Sequence, residues 1–337
     1  MIYALTLVIV SAALDLLVGD PLWAPHPVAY MGRLISTLRK YTEKLAGDNI
    51  LGLRLGGLLI TFILIFLSGL TGWFLEQIAL INLPLLSYVG SIILIIGLAS
   101  TLAARSLRES VLAVLEALPE GSNKEQLQIA RQKLSYIVGR DVWQLEESEI
   151  LRAAAETASE NAVDGIFAPL FWMIIGASFW NISTDLPGPL TFALVFKASS
   201  TIDSMIGYRH GRMQWLGTAG AKLDDVLTWI PSRIVLLTLP LVSQPLQKMP
   251  SLIHSAWVDG SQDSSPNAGI SEAIYAHCAE VKMGGKNRYQ EKLTIKPLLA
   301  KNSPEASIKS VKRILNLTLR LEFAWIAIIG ILLNYFL

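Results

Sequence analysis

The sequence has few of the features that a soluble enzyme or a disulfide-stabilised secreted protein needs. Only 16% of its 337 residues are charged, while 52% are hydrophobic, whereas a typical soluble domain has about a quarter charged residues. The single cysteine, Cys278, excludes an internal disulfide, and four scattered histidines give no zinc-type site. A net charge of +1 without a long basic run indicates no nucleic acid partner. The composition therefore indicates a membrane-embedded protein.

Familiar signals for nucleotides and for secretion are also missing. The sequence contains neither a GxxxxGK[ST] P-loop nor a GxGxxG turn after a strand. No Lys or Arg precedes the apolar run of residues 1–18, and Gly-Asp-Pro follows the run in place of a small-residue cleavage site. We therefore expect a retained membrane segment and not a signal peptide.

Long, continuous apolar runs dominate what is present, which favours helices over the strands of an outer-membrane barrel. Crossing the hydrocarbon core takes about 20 apolar residues. The runs that meet this length are residues 1–18, 55–75, 85–104, 186–206 and 314–337. Two further runs, 166–180 and 226–247, are shorter or interrupted by proline, so they could be spans, re-entrant helices or buried pieces. The sequence predicts an all-α, polytopic membrane protein with about five to seven membrane segments.

Basic residues concentrate in residues 31–54, 105–155 and 248–313, which predicts that these segments are cytoplasmic. The alternation of sides is consistent only if the run 226–247 enters and leaves the membrane on the same side. We therefore expect one integral-membrane domain over residues 1–337, with cytoplasmic helical or loop portions at about 105–165 and 248–313.

A row of acids precedes one of the apolar runs. Glu156, Glu160 and Asp164 are spaced by four residues, so on an α-helix their carboxylates lie on one face and repel each other. A divalent cation or a basic substrate group would relieve this repulsion, because Mg²⁺ prefers carboxylate oxygens and bound phosphate. The alternative is a solvated acidic face at the membrane surface. The neighbouring Asn161 and the abrupt apolar continuation favour a site.

A second cluster lies in KASSTIDSMIGYRHGR, residues 197–212. Lys197 and Asp203 fall in or at the end of an apolar stretch, and ionisable residues at membrane depth are candidates for function. Arg209 follows closely, so an anionic ligand could dock there. The alternative is a snorkelling lysine with an interfacial aspartate.

A third cluster lies in GTAGAKLDDVLTWIPSR, residues 217–233. Lys222 directly precedes the acidic pair Asp224 and Asp225, which could form a carboxylate metal site. The alternative is an ordinary helix start, where the dipole favours acids.

The remaining candidates are SSPNAGISEA, residues 264–273, and MGGKNRY, residues 283–289. Gly284-Gly285 would let backbone N–H groups approach a ligand, and Asn287 and Arg288 could bind phosphate or carboxylate. The alternatives are a turn before a helix and a flexible loop.

Together these stretches resemble one family, the integral-membrane adenosylcobinamide-phosphate synthases of cobalamin biosynthesis, called CobD or CbiB. The resemblance runs in order over nearly the whole chain. It depends on DLLVGDPLWAPHPVAYMGRL, SENAVDGIFAPLFW, KASSTIDSMIGYRHGRMQWLGTAGAKLDDV with IPSR, SPNAGISEA and GGKNRY. Five linked motifs are far more specific than any one of them.

The resemblance implies that a propionate carboxylate of adenosylcobyric acid is joined to aminopropanol phosphate, with ATP as co-substrate and Mg²⁺ as cofactor. It also implies a prokaryotic inner membrane, a site facing the cytoplasm and other cobalamin-pathway enzymes as partners. The predicted catalytic residues are Glu156, Glu160, Asp164 and Asp203. The predicted substrate- and phosphate-binding residues are Lys197, Arg209, Lys222, Asn267, Asn287 and Arg288. The predicted metal ligands are Glu160, Asp164, Asp224 and Asp225.

Two other classes of protein remain open. A related membrane family, AmpE, is linked to β-lactamase regulation, but the complete SPNAG and GGKNRY stretches favour an enzyme. A transporter would also suit Lys197, Asp203 and a proline-broken helix. The apolar interiors of runs 55–75 and 85–104 hold no charge, and the ionisable clusters lie mostly at helix ends, which favours an enzyme over a transporter.

Overall fold

The secondary structure of the computed structural model is mainly helical. The structure describes residues 2–21, 25–81, 83–118, 123–208, 210–243, 245–289 and 292–335. Over these residues the helices and strands are α1 (Ile2–Val18), α2 (Pro27–Ala46), α3 (Ile50–Ala79), α4 (Pro84–Ala99), α5 (Ala104–Glu116), α6 (Lys124–Ser135), α7 (Glu147–Ala162), a π-helical turn (Val163–Phe167), α8 (Ala168–Ile182), α9 (Pro189–Ile206), α10 (Met213–Leu216), α11 (Thr218–Ser243), a 3-10 turn (Leu246–Lys248), α12 (Met249–Gly260), α13 (Ala268–Ala279), β1 (Met283–Tyr289), β2 (Lys292–Leu299) and α14 (Ile308–Tyr335).

Two compact units divide the chain. Unit 1 contains Met1–Ala103, Ala168–Thr228 and Ile326–Leu337, and unit 2 contains Ala104–Phe167 and Trp229–Trp325. The two larger segments that were predicted to be cytoplasmic, within residues 105–165 and 248–313, both belong to unit 2, whereas the third, residues 31–54, belongs to unit 1. The side of the membrane on which they lie stays a prediction.

Within the described residues, five helical stretches are long and apolar enough to cross a membrane. They are Ile50–Ala79, Leu85–Glu116, Glu147–Ile182, Thr218–Ser243 and Ile308–Ile331. This confirms the prediction of an all-α, polytopic membrane protein. The run 1–18 forms the shorter apolar helix α1, and the run 186–206 forms α9, which has 18 residues and is not among the five. The polar residues from Lys197 to Asp203 lower the hydropathy of α9.

The run 226–247 does not turn back within the membrane as the sequence analysis expected. Residues 218–243 form one uninterrupted helix, α11, although Pro231 and Pro240 lie inside it. Each proline removes one backbone hydrogen bond and can bend a helix, but neither reverses its direction. The expectation was therefore wrong for α11, because it came from the number of membrane crossings that the basic segments require and not from a local signal for reversal.

Glycine allows close packing between the helices of unit 1. A Cβ added to Gly72 of α3 would lie 2.6 Å from the Cα of Thr191 in α9, and one added to Gly57 would lie 1.8 Å from the carbonyl oxygen of Leu216. Lipid gives helices no hydrophobic reason to associate, so membrane proteins use small residues to bring backbones together.

A buried carboxylate joins the same two helices of unit 1. Glu76 of α3 accepts hydrogen bonds from the backbone N–H of Gly188 at 2.8 Å and that of Thr191 at 2.9 Å, and from the Thr191 hydroxyl at 2.6 Å. These backbone groups start α9 and have no partner within the helix. Glu76 therefore caps α9 from a neighbouring helix.

Unit 2 begins with the pair α5 and α6, and the sequence predicts two helices here, from the helical spacing of its apolar residues and a Pro-Glu-Gly-Ser break at residues 119–122. Leu107, Val111, Val114, Leu115 and Leu118 are all buried. The predicted break at residues 119–122 lies outside the described residues. Asn123 begins α6 with a capping box, in which its side chain and that of Gln126 exchange hydrogen bonds with each other's backbone N–H.

The second part of unit 2 contains a β-hairpin that the sequence analysis did not predict. Strands β1 and β2 pair antiparallel, with Asn287 opposite Thr294 and Gly285 opposite Lys296. The pairing is irregular between Met283 and Gly285. Residues 283–289 were predicted to approach a ligand or to form a flexible loop, and no strand was predicted there, since adjacent glycines weaken a strand pattern.

We predict that Gly72→Ala lowers the free energy of unfolding by about 1 to 3 kcal/mol, because the added methyl group meets the backbone of Thr191. The matched control is Gly330→Ala in α14, where an added Cβ meets nothing within 4 Å. The measurement is the melting temperature of each detergent-solubilised variant. Equal melting temperatures for both variants would contradict close packing at Gly72.

Candidate functional site

Helix α7 carries the acidic row and extends into an unusual turn. The helix starts with a capping box between Glu146 and Glu149, which supplies partners for backbone N–H groups that lack them. Its last turn passes into the π-helical residues Val163–Phe167, which include Asp164. Such wide turns are rare and occur frequently at functional sites. Glu156 and Glu160 therefore share an α-helical face, and Asp164 lies at the change of helical geometry.

Glu156 is buried between two arginines. Its side chain is about 5% exposed, and its Oε2 lies 2.6 Å from Nη1 of Arg140 while its Oε1 lies 2.9 Å from Nη1 of Arg152. The backbone N–H of Gly284 also donates to Oε1, at 2.9 Å. The predicted repulsion within the acidic row is therefore relieved at Glu156 by the protein's own cations.

Arg152 connects α7 to the hairpin. Its Nη1 donates to the carbonyl oxygen of Gly284 at 2.9 Å and to Oδ1 of Asn287 at 3.0 Å, and its Nη2 donates to the carbonyl oxygen of Lys286 at 2.8 Å. A planar guanidinium with several fixed donors is suited to such multiple contacts. The side chain of Arg152 thus fixes the backbone of β1 against α7.

Gly284 allows the hairpin to approach Glu156 closely. Its φ is +82°, and a Cβ at this position would lie 1.9 Å from the carbonyl oxygen of Pro297. Only glycine combines this conformation with this approach. The sequence left open whether this backbone approaches another group closely or forms a flexible loop. The backbone does make a close approach, and the group that it contacts is the carboxylate of Glu156.

A second buried ion pair lies beside the first. Nζ of Lys296 in β2 donates to Oε1 of Glu272 in α13 at 2.8 Å, and Glu272 is fully buried. Burial raises the pKa of Glu272, with Lys296 acting against it. Burial alone would lower the pKa of Lys296, but Glu272 and Glu160 outweigh that effect and raise it above its usual value. Lys296 therefore stays positively charged near Glu160.

Two of the sequence motifs meet at Arg233. Its Nη1 donates to Oδ1 of Asn267 at 2.5 Å, and its Nη2 donates to the carbonyl oxygen of Pro266 at 2.8 Å. The guanidinium also lies over the ring of Trp229, 4.8 Å from its centre, which is a cation–π distance. Arg233 thus holds the turn that precedes α13.

Several buried donors around Glu156 have no hydrogen-bond acceptor among the described residues. They are Nε and Nη2 of Arg140 and Nδ2 of Asn287. A buried polar group without a partner costs about 1 to 3 kcal/mol, so native structures rarely leave one unfilled. These donors are suited to the oxygen atoms of a carboxylate or phosphate ligand.

The predicted site residues divide between the two units. Unit 2 contains Glu156, Glu160, Asp164, Asn267, Asn287 and Arg288. Of Arg288, only the backbone is described, as part of β1. Unit 1 contains Lys197, Asp203, Lys222, Asp224 and Asp225, while Arg209 lies outside the described residues. The described residues show no group of three or more His, Cys, Asp or Glu side chains able to hold a metal ion. The catalytic, binding and metal roles stay predictions.

In unit 1, the carboxylate of Asp203 lies at the end of α9, over Gly207. A Cβ at Gly207 would lie 2.0 Å from Oδ1 of Asp203. Asp203 and Lys197 are half-buried, as are Asp224 and Asp225, whereas Lys222 is exposed. Glycine at 207 therefore makes room for one of the predicted catalytic acids.

Four charged residues of unit 2 were not predicted from the sequence: Arg140, Arg152, Glu272 and Lys296. A signal existed for Arg152, since it precedes Glu156 by four residues and a basic–acidic pair at this spacing interacts on a helix. Glu272 lies in the quoted motif SPNAGISEA. For Arg140 and Lys296 no local signal exists, because each meets its partner through the tertiary fold.

Comparisons with known proteins identify relatives over most of the chain. A model of the family described as CobD/Cbib protein matches residues 8–318. A "Cobalamin biosynthesis protein CobD" of Synechocystis sp. is 37% identical over 321 residues, covering 95% of this chain and 89% of the relative. The protein of that name from Geobacter metallireducens is 38% identical over 296 residues, covering 87% and 85%. A "Cobalamin biosynthesis protein CbiB" of Salmonella choleraesuis is 32% identical over 311 residues, covering 91% of each chain. No solved structure matches.

We predict that Glu156→Gln lowers the free energy of unfolding by about 3 to 5 kcal/mol, because it leaves Arg140 and Arg152 buried without a counter-ion. The control is Glu109→Gln, which breaks the ion pair between Glu109 and Arg105. The side chain of Arg105 is 40% exposed and that of Glu109 is 62% exposed. Such an exposed pair contributes about 0.3 to 0.5 kcal/mol. Denaturant unfolding monitored by circular dichroism gives both values. A loss at Glu156 no larger than that at Glu109 would contradict the buried network.

Proposed function

The chain belongs to the CobD/CbiB protein family, and on that premise we propose that it is a carbon–nitrogen ligase of cobalamin biosynthesis. The reaction joins a propionate carboxylate of adenosylcobyric acid to the amine of aminopropanol phosphate, with hydrolysis of ATP. The enzyme acts as a multi-pass protein of the bacterial inner membrane, with its site facing the cytoplasm, where ATP is available.

One observation carries the proposal: four motif segments that are far apart in sequence meet in a single charged cluster of unit 2. Glu156, three residues before SENAVDG, accepts a hydrogen bond from the backbone N–H of Gly284 in GGKNRY, and Glu160 of SENAVDG interacts electrostatically with Lys296. Arg233 of IPSR binds Asn267 of SPNAGISEA. Glu272 of the same motif pairs with Lys296, which follows GGKNRY in the hairpin. Such a cluster of buried charges is costly to build and is typical of a functional site.

The donors of this cluster fit the anionic groups of the proposed substrates. Adenosylcobyric acid presents a carboxylate, and both ATP and the amino alcohol present phosphates. Arg140 and Asn287 carry buried donors without acceptors among the described residues. Lys296 adds a positive charge, which its acidic neighbours maintain. Donors and charges held in place before the reaction stabilise negative charge that develops on transferring oxygens.

Glu160 and Asp164 are the residues of unit 2 that fit Mg²⁺. Both are half-buried acids near the end of the same helical stretch. Mg²⁺ is usually held by one or two protein carboxylates together with substrate phosphates and water. When bound, the ion would neutralise phosphate charge during activation of the carboxylate. Glu156 does not fit this role as well, because both of its oxygens already face arginines.

The chemistry assigns separate tasks to the cluster. A carboxylate is a poor electrophile, so its oxygen first takes either a phosphoryl group from ATP, with release of ADP, or an adenylyl group, with release of diphosphate. The amine nitrogen then forms a bond to the carbonyl carbon, the activated oxygen leaves with its phosphate, and one proton leaves the nitrogen. Arg140, Lys296 and Asn287 bind and orient anionic oxygens in this scheme. Glu156 positions Arg140 and Arg152.

The test is a mass-spectrometric assay of the purified protein with adenosylcobyric acid, aminopropanol phosphate, ATP and Mg²⁺, each omitted in turn. We expect a corrinoid product heavier by the condensed amine, formed only when all four components are present. Binding of the corrinoid without product would instead favour a signalling relative of the AmpE type. Uptake of substrate into proteoliposomes without product would favour a transporter.

We also predict that Glu160→Gln and Asp164→Asn each lower kcat by roughly a hundredfold or more, since positioned catalytic groups commonly contribute that much. The matched control is Glu125→Gln, an exposed acid in the first turn of α6. The measurement is the initial rate at saturating substrate, and each variant must keep its melting temperature. Full activity in both acidic-row variants would contradict the assignment while leaving the ligase reaction intact.

A further inference from the structure

An open cleft of about 1140 Å³ lies within unit 2, and its lining shares no residue with the Glu156 cluster. The first turns of α14 form one side, the first turn of α7 forms another, and Ser243 at the end of α11 contributes to the rim. Its charged lining comes mostly from α14. The charged residues of the lining are Glu147, Lys309, Lys312, Arg313 and Arg320. None of these residues belongs to the predicted catalytic or binding set.

The basic residues follow one face of α14. At 100° per residue, positions 309, 312, 313, 316 and 320 fall within about 100° of arc and extend over about 16 Å. Lys309, Lys312 and Arg320 are exposed on this face. The opposite face is buried and includes Val311, Ile314 and Thr318. The cations therefore line the cleft as a row and are not scattered over the surface.

Most of this positive charge is uncompensated within the described residues. Lys309, Lys312 and Arg320 form no ion pair there, whereas Arg313 lies 3.0 Å from Oε2 of Glu280. Glu147 is the single acid among the lining residues. The first turn of α14 contains no acidic residue, although the helix dipole favours acids there and disfavours lysine. A bound anion would offset both the mutual repulsion and the dipole.

We propose that this cleft is a binding site for a phosphate-bearing ligand. Lys309, Lys312 and Arg320 supply the charge, and the side chains of Ser148, Ser307 and Asn316 along the lining supply hydrogen-bonding groups. Phosphate is the anion that matches this combination, because its oxygens accept from several cations and hydroxyls together. Two sources share this chemistry: the head group of an anionic phospholipid beside the membrane-crossing part of α14, and a free organic phosphate.

The test uses the full-length protein in an uncharged detergent and measures two binding equilibria. One arm titrates ATP in the absence of Mg²⁺ and substrate, followed by calorimetry. The other arm measures retention of phosphatidylglycerol against phosphatidylcholine by native mass spectrometry. The variant combines Lys309→Gln, Lys312→Gln and Arg320→Gln. The matched control combines Lys124→Gln, Lys133→Gln and Lys301→Gln, which remove three basic charges from unit 2 outside this cleft.

We expect the cleft variant to bind at least one probe roughly tenfold more weakly or worse, because each basic residue at such a surface contributes about a factor of five. The control variant should bind as the wild type does. Loss of ATP binding identifies a free phosphate, loss of phosphatidylglycerol retention identifies a lipid, and competition between the probes identifies both as ligands of one site. Unchanged binding of both probes overturns the proposal.

A second measurement guards against misfolding of the cleft variant. Binding to the wild-type protein should weaken steeply as KCl is raised, because salt screens exposed charges. Replacement of Lys309 and Lys312 by arginine should retain binding. Salt-independent binding would overturn the proposal without any mutation. The ligase assay is separate, so failure of this site leaves the proposed reaction untouched.

Discussion

The buried carboxylate of Glu156 is the interaction on which unit 2 depends. An ion removed from water costs several kcal/mol unless opposite charges and hydrogen bonds compensate it. Arg140 comes from the turn before α7, Arg152 from α7 itself and the N–H of Gly284 from β1. Three segments must therefore be in place together before the charge is satisfied. The same condition fixes the position of the buried donors of Arg140 and Asn287 that have no acceptor among the described residues.

That condition also accounts for the sequence of the hairpin. Gly284 has a positive φ and no room for a side chain beside Pro297, so the backbone can reach Glu156 only with glycine at this position. Arg152 then binds the carbonyl oxygens of Gly284 and Lys286. An exposed two-stranded hairpin is marginally stable alone. This hairpin is stabilised by a buried guanidinium on one side and by the Lys296 to Glu272 pair on another.

The sequence predicted those features that depend on neighbouring residues. The apolar positions of α5, such as Val111 and Val114, are buried as their spacing indicated, and the long apolar runs form helices. The reversal expected at α11 came from counting membrane crossings, whereas the chain continues there as one helix, since a proline bends a helix without reversing it. Partners across the fold were not predictable: Gly284 is 128 residues from Glu156, and Lys296 is 24 from Glu272. Helical or strand periodicity contains no information on such distances.

The surroundings of the acidic row give its members different chemistry. Glu156 has arginines on both oxygens and is about 5% exposed, so it has no room for a metal ion or a reacting amine. One turn further, Glu160 is half-buried and faces the positive charge of Lys296. Asp164 follows in the π-helical turn, where the altered helical spacing changes the direction of side chains. A single helical stretch thereby carries one carboxylate held between two arginines, at Glu156, and two half-buried acids at its far end. In the proposed reaction, catalysis by Glu160 and Asp164 therefore depends on a network in which Glu156 holds its two arginines and takes no chemical part.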